Sequence, residues 1–145
     1  MAKKKVCVSF DYEHDKHYYY LLAAWNNNPN IDFGINDCTP NEIQSESVSK
    51  IKQVLSTKIG QANYMVAIIG EHSTDTHPDS GEIGYNNWQS YEIAKNHEKG
   101  NGLVVVKLDS SYSAPDECYN IGAKWVTGFS LDAIENALKE LVNKR

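Results

Sequence analysis

Trp88 and Glu92 are the residues whose types and spacing best suit chemistry. They lie in the stretch Gly84-Tyr-Asn-Asn-Trp-Gln-Ser-Tyr-Glu-Ile-Ala-Lys-Asn96. Four positions apart on a helix, they share one face, a turn from each other. An acid and an indole at a helix start, facing strand ends, make a candidate small-molecule site. The competing reading is a half-buried helix with Trp88 in the core and Glu92 on the surface. A second polar group, Asp11-Tyr12-Glu13-His14-Asp15, follows the first apolar run. His14, His17, Glu13 and Asp15 have the atom types of a zinc set, but a solvated loop and helix start explains them without a metal, and no metal is assigned. His72, His77 and His97 read as surface histidines. Tyr18, Tyr19 and Tyr20 point three ways on a helix and are given no chemistry.

These residues need a scaffold, and the pattern of apolar residues supplies one. Strands are expected at Lys5 to Asp11, Ile31 to Asn36, Tyr64 to Ile69, Leu103 to Leu108 and Lys124 to Thr127. The third and fourth are apolar nearly throughout, as central parallel strands covered on both faces are. Helices are expected from about Lys16 to Asn26, from a cap at Ser45 or Ser47 to Gly60, from Trp88 to Lys99, and after Ser130. Val48, Ile51, Val54, Leu55 and Ile59 recur at helical steps, as do Leu131, Ile134, Leu138 and Leu141. Asp37 to Glu42 and Glu71 to Gly81 read as loops. Asp109 to Asn120 reads as a long connection with one helical turn after Pro115.

Strands alternating with helices predict a single α/β domain spanning residues 1–145. The layout is three-layer and flavodoxin-like, a five-stranded parallel sheet in the order 2-1-3-4-5. Ligands then bind beyond the carboxyl ends of the strands, at the switch point between the first and third. The loops around Asp11, Asp37 and Glu71 to Asn87 would meet there, beside the start of the Trp88 helix.

Composition narrows the function. The 145 residues carry a formal charge of -5, with 41% hydrophobic and 23% charged residues. Those proportions are ordinary for a globular protein. The charge argues against nucleic acid as a partner, because binding phosphate backbones needs a concentrated basic surface. Lys3-Lys4-Lys5 is the only basic cluster and reads as a solvated tail. No stretch approaches transmembrane length, and no signal peptide core is visible. Cys7, Cys38 and Cys118 are odd in number and far apart, which predicts neither a disulfide framework nor a zinc set and suits a reducing cytoplasm. Cys7 alternates with Val6 and Val8 and reads as a buried strand residue. Glycine-rich dinucleotide and Walker motifs are absent. A phosphate-receiving domain would need an aspartate ending the third strand and a lysine ending the fifth, where Gly70-Glu71 and Thr127-Gly128 stand.

Val6-Cys7-Val8-Ser9-Phe10, running into an acid-rich loop that ends at Asp15, resembles the first strand of TIR domains. Trp88-Gln89-Ser90-Tyr91-Glu92 resembles the TIR helix in which tryptophan stands four residues before glutamate. The opening Val-Ser-Phe-Asp-Tyr-Glu is similar to that of the bacterial TIR-like proteins of the Thoeris antiphage system. The resemblance implies an enzyme that uses NAD+ as substrate, with no cofactor. It would cleave the nicotinamide–ribose bond and make a cyclic ADP-ribose-type messenger for a separate effector. It implies Glu92 as the catalytic carboxylate, with Phe10, Asp11, Asp37 and Trp88 at the substrate. Self-association is left open, and neither nucleic acid nor membrane is expected. The alternative is a non-enzymatic TIR interaction module that recruits another protein.

Overall fold

An apolar run too short for a helix of useful length, Tyr64–Ile69, becomes the middle strand of the sheet, with all six residues buried. The computed structural model describes residues 3–38 and 47–143. Within them the strands are β1 (Lys4–Ser9), β2 (Phe33–Asp37), β3 (Tyr64–Ile69), β4 (Gly102–Lys107) and β5 (Lys124–Thr127). The helices are α1 (Tyr12–Ala23), α2 (Val48–Gly60), α3 (Ser80–Ile83), α4 (Trp88–Glu98) and α5 (Leu131–Asn143). The sheet has the order β2-β1-β3-β4-β5 and all its pairings are parallel. This is the expected α/β flavodoxin-like arrangement.

The two-residue period of the strands sorts the core into two layers. Cys7, Met65, Ala67, Ile69, Leu103 and Val105 pack with Leu55 and Ile59 of α2 and Ile93 of α4. Val6, Val8, Val66, Ile68, Val104 and Val106 pack with Leu22 of α1 and Ile134 and Leu138 of α5. Ser9 continues the parity of Cys7 and therefore faces α4. Phe10 continues the parity of Val8 and stacks on Tyr19 of α1, with ring centroids 5.0 Å apart.

Three local expectations are corrected. The acid-rich stretch after β1 is not a loop. α1 starts at Tyr12, four residues earlier than expected, because Asp11 caps it by accepting from the Glu13 amide. Part of the expected loop at 71–81 is the short helix α3, closed by Gly84 in the left-handed region. Third, Cys7 and Cys38 form a disulfide, their Cα atoms 5.8 Å apart. The parallel register sets Val8 beside Asp37, so the residue after β2 reaches Cys7. A separation of 31 residues in sequence hides that closeness. Cys118 is free and buried. The caps at Ser47 and Ser130 form as expected; Ser45 and residues 39–42 of the expected loop lie outside the described residues. Among the described residues no helix is long and apolar enough to cross a membrane.

Candidate active site

β1 and β3 end side by side, and their neighbours run to opposite sides of the sheet. The resulting crevice, about 440 Å³, is lined by residues 10–14 after β1, by 72–73 and 75–78 after β3, and by 87–89 at the start of α4. Asn87 caps α4 by accepting from the Ser90 amide. Its side-chain nitrogen donates to the carbonyls of Ser73 and Asp75. One side chain thus fixes both the helix start and the loop opposite it. α1 and α4 both direct their amino-terminal ends at the crevice, which gives it the positive pole of two helix dipoles.

Of the expected substrate residues, Phe10, Asp11 and Trp88 line this crevice. Trp88 does so while packing edge-on to Tyr91 at 5.7 Å, so it is both a wall of the crevice and part of the core. Asp37 does not join them. It is the last residue of β2 rather than a loop residue, lies 3.8 Å from Lys58 Nζ, and lines a separate cavity of about 320 Å³ at the β2 edge.

Glu92 is neither on the surface nor in the crevice lining. It is 1% exposed, and its Oε1 accepts a 2.6 Å hydrogen bond from the Ser9 hydroxyl, 83 residues away in sequence. Its Oε2 is buried with no partner among the described residues. Burial pushes its pKa well above the ordinary carboxylate range; nearby Asp37 adds to the rise, while the Ser9 hydroxyl and Lys58 oppose it. Between Glu92 and the crevice stands Gln89, one turn earlier on α4. Its Nε2 donates to the carbonyls of Ser9, at 3.1 Å, and Ile68, at 2.8 Å. Ser9 thus holds two α4 residues at once, one through its carbonyl and one through its hydroxyl.

The crevice also holds a pair the sequence did not signal. His14 of α1 stacks on His72 of the loop after β3, with ring centroids 3.9 Å apart. Each Nδ1 lies 2.8 Å from a carboxylate, Asp11 for His14 and Asp75 for His72. The Asp11 hydrogen bond raises the His14 pKa. Below the pair, Asp15 is 6% exposed. Burial, helped by Asp11 and opposed by His14 and His72, pushes its carboxyl up to about 6. Asp15 lines a third cavity of about 290 Å³ on the far side of the histidines. Among the described residues no group of three or more histidine, cysteine or acid side chains is arranged to hold a metal ion.

Sequence reasoning therefore missed Ser9, Gln89 and His72 as candidate site residues and weighed His14 only as part of a conceivable zinc set. The parity of Ser9 with Cys7 was a usable signal that it faces a helix layer. Nothing local tied it to Glu92.

Comparison with curated proteins returns no match. Among solved structures the chain resembles a 2-deoxyribosyltransferase from the bacterium Bacillus psychrosaccharolyticus, with TM-score 0.60 and 13% identity over 91% of this chain and 90% of that one. It also resembles a 2-desoxiribosyltransferase from Leishmania mexicana, with TM-score 0.56 and 15% identity over 97% of each chain. A prokaryotic SEFIR domain gives TM-score 0.54 and 14% identity over 96% of each chain. At such identities the likeness is one of fold. The family comparison is more specific: a model described as Thoeris protein ThsB, TIR-like domain, matches residues 7–113, a span that runs from within β1 through β4 and holds the crevice and the Ser9–Glu92 bond, and the chain belongs to that family.

Proposed function

We propose that this protein cleaves NAD+ at the nicotinamide–ribose bond and closes the ADP-ribosyl remainder into a cyclic messenger for a separate effector in antiphage defence. The observation that carries the reading is the sealed Glu92 carboxyl. It is held by Ser9 and stands one helical turn from the floor of a crevice walled by Phe10 and Trp88. Family membership supports it as well.

The chemistry fits a buried acid. Breaking the bond between nicotinamide and C1′ releases nicotinamide as a neutral molecule and leaves oxocarbenium character on the ribose. No general acid is needed for that departure. A carboxylate beside the ribose stabilises the developing charge, and does so more strongly where water is excluded. Glu92 is pushed toward its neutral form when the site is empty. A pyridinium cation at the ribose pulls it back toward the charged form, since an opposite charge nearby lowers a carboxyl pKa. Exclusion of water also favours capture of C1′ by a nucleophile of the same molecule, giving a ring instead of ADP-ribose.

Mass spectrometry of small molecules from phage-challenged cells tests the reading. Cells with the native protein accumulate a cyclic ADP-ribose-type product and free nicotinamide, and cells with Glu92→Gln do not. Equal accumulation in both overturns it. A second reading, a non-enzymatic interaction module, is favoured by one observation: Glu92 lines none of the three cavities. It predicts no nicotinamide release from the native protein, and loss of defence on changing surface residues rather than Glu92.

A further inference from the structure

Behind the histidine pair lies a cavity that the NAD+ reading does not use. It holds about 290 Å³ and sits beyond the carboxyl ends of β3 and β4, between α1 and the segments that follow those strands. His14 and His72 line both this cavity and the crevice, so their stacked rings form the partition between the two. The lining is built from acceptors. Asp15, Glu71 and Asp109 contribute carboxylates, and among the described residues neither lysine nor arginine lines it. A carboxylate only accepts, so the bonds to Asp11 and Asp75 place the proton of each neutral histidine on Nδ1 and leave Nε2 as an acceptor. His72 Nε2 then stands 4.0 Å from Glu71 Oε2, two acceptors placed to share one donor.

An acidic wall alone is a solvated surface; Asp15 makes this one a site. It is 6% exposed yet lines the cavity. Its Oδ2 is turned onto Gly70 and has no partner among the described residues. Position 70 carries no side chain, and even a Cβ there would collide with the carboxyl. The fold thus leaves out a side chain to lodge an acid in the wall of an acidic cavity, where burial works against its charge. Such an arrangement is kept where something else supplies the positive charge.

We propose that this cavity binds a small aliphatic diamine, with one ammonium seated on Asp15 and the other held by Glu71 and Asp109. An ammonium has three donors and no acceptor, the complement of this lining. Glu71 and Asp109 are both exposed, so the second charge stays in contact with water. Asp109 Oδ1 accepts from the Ser111 hydroxyl and amide, and Oδ2 is the oxygen offered to the ligand. Tyr18, Leu108 and Tyr112 give the methylene stem apolar surface, and tyrosine faces attract ammonium groups. A metal ion suits the cavity less, since among the described residues no three histidine, cysteine or acid side chains converge as ligands. The site stands apart from the crevice, and the proposal holds whether or not NAD+ is the substrate there.

Calorimetry on the unmodified protein near neutral pH tests the site. The probes are 1,4-diaminobutane, 1-aminobutane and 1,4-butanediol, with magnesium chloride at matched ionic strength as competitor. The diamine is expected to bind at least about 10-fold more tightly than the diol, the size of one hydrogen bond to a charged group. The monoamine falls between them. Asp15→Asn, equal in size but neutral, weakens diamine binding about 10-fold or more, with folding checked by circular dichroism. Glu140→Gln removes one charge from α5, outside the cavity lining, and leaves the affinity within about twofold. Equal loss in both variants overturns the site in favour of general attraction to an acidic protein. No binding of the diamine, or equal affinity for diamine and diol, overturns it outright. Monoamine binding as tight as that of the diamine overturns the role given to Glu71 and Asp109. Displacement of the diamine by magnesium overturns the assignment in favour of a metal site. The probe series needs only the native chain, so it decides the matter even where the Asp15 variant does not fold.

Discussion

Asp15 and Glu92 invite comparison. Both are helix-borne acids buried at the carboxyl ends of the central strands, each with one oxygen that finds no donor among the described residues, and burial raises the pKa of both. Their settings differ. Asp15 lies against Gly70, just beyond β3, with two histidines above it that favour its charged form. Glu92 is sealed on all sides and held by the Ser9 hydroxyl, which belongs to a strand far away in sequence. Burial alone therefore does not tell the two acids apart. What separates the two is a donor that fixes one oxygen and a crevice floor one turn from the other.

The sharpest way to break this comparison is to neutralise each acid in turn. Glu92→Gln lowers nicotinamide release about 100- to 1,000-fold, the scale of removing one preorganised electrostatic contact. Asp15→Asn leaves release within a few-fold of native. Steady-state assays of both variants check this, and a reversal of their order would exchange the two roles. The Gln variant is also expected to melt higher than the native protein at pH 8. The folded state retains a proton on Glu92 that the unfolded chain has lost, so the native protein loses stability as pH rises above the ordinary carboxylate range. Calorimetric scans of the two at pH 5 and pH 8 measure it.

Next in size is the contact behind Asp15. A Cβ added at Gly70 would stand 2.7 Å from Asp15 Oδ1 and 2.8 Å from its Cγ, with Oδ2 nearer still. Gly70→Ala should cost about 1 to 3 kcal/mol, as overpacking does. The same change at Gly81, which has open space around it, should stay within about 0.5 kcal/mol. Urea denaturation of the two variants gives both numbers. Ser9→Ala should cost about 1 kcal/mol. Since the Ser9 hydrogen bond lowers the Glu92 pKa, its loss should move the acid limb of the pH–rate profile to higher pH. A profile that does not move would detach Ser9 from the chemistry.

The last expected effect is a slope. Asp15 ionises at about 6 in the fold against an ordinary value of 3.8. Between those pH values the folded state binds more protons than the unfolded chain. Its contribution to stability is therefore complete below pH 3.8 and lost as pH rises through about 6. Asp15→Asn should remove that share of the decline, seen as a flatter dependence of the melting temperature on pH.

Residue types and periods alone determined much of this protein. Six apolar residues with no alternation define β3 as central, because only a strand covered on both faces can be apolar on both. The helical steps of Val48 to Ile59 and of Leu131 to Leu141 place α2 and α5, because a 3.6-residue period must bury one stripe. Trp88 and Glu92 were legible as a pair because four residues on a helix is a local distance. The early start of α1 was misread because an aspartate cap and a polar loop look alike until the Glu13 amide is seen to point at Asp11. Tertiary structure alone decided the rest. Ser9 meets Glu92, His14 meets His72 and Cys7 meets Cys38 only when parallel register and layer order bring distant segments together, and none of those separations has a period to reveal it. The sealing of Glu92 is of the same kind: a carboxylate's pKa is set by the water it loses, and that depends on every element packed around it.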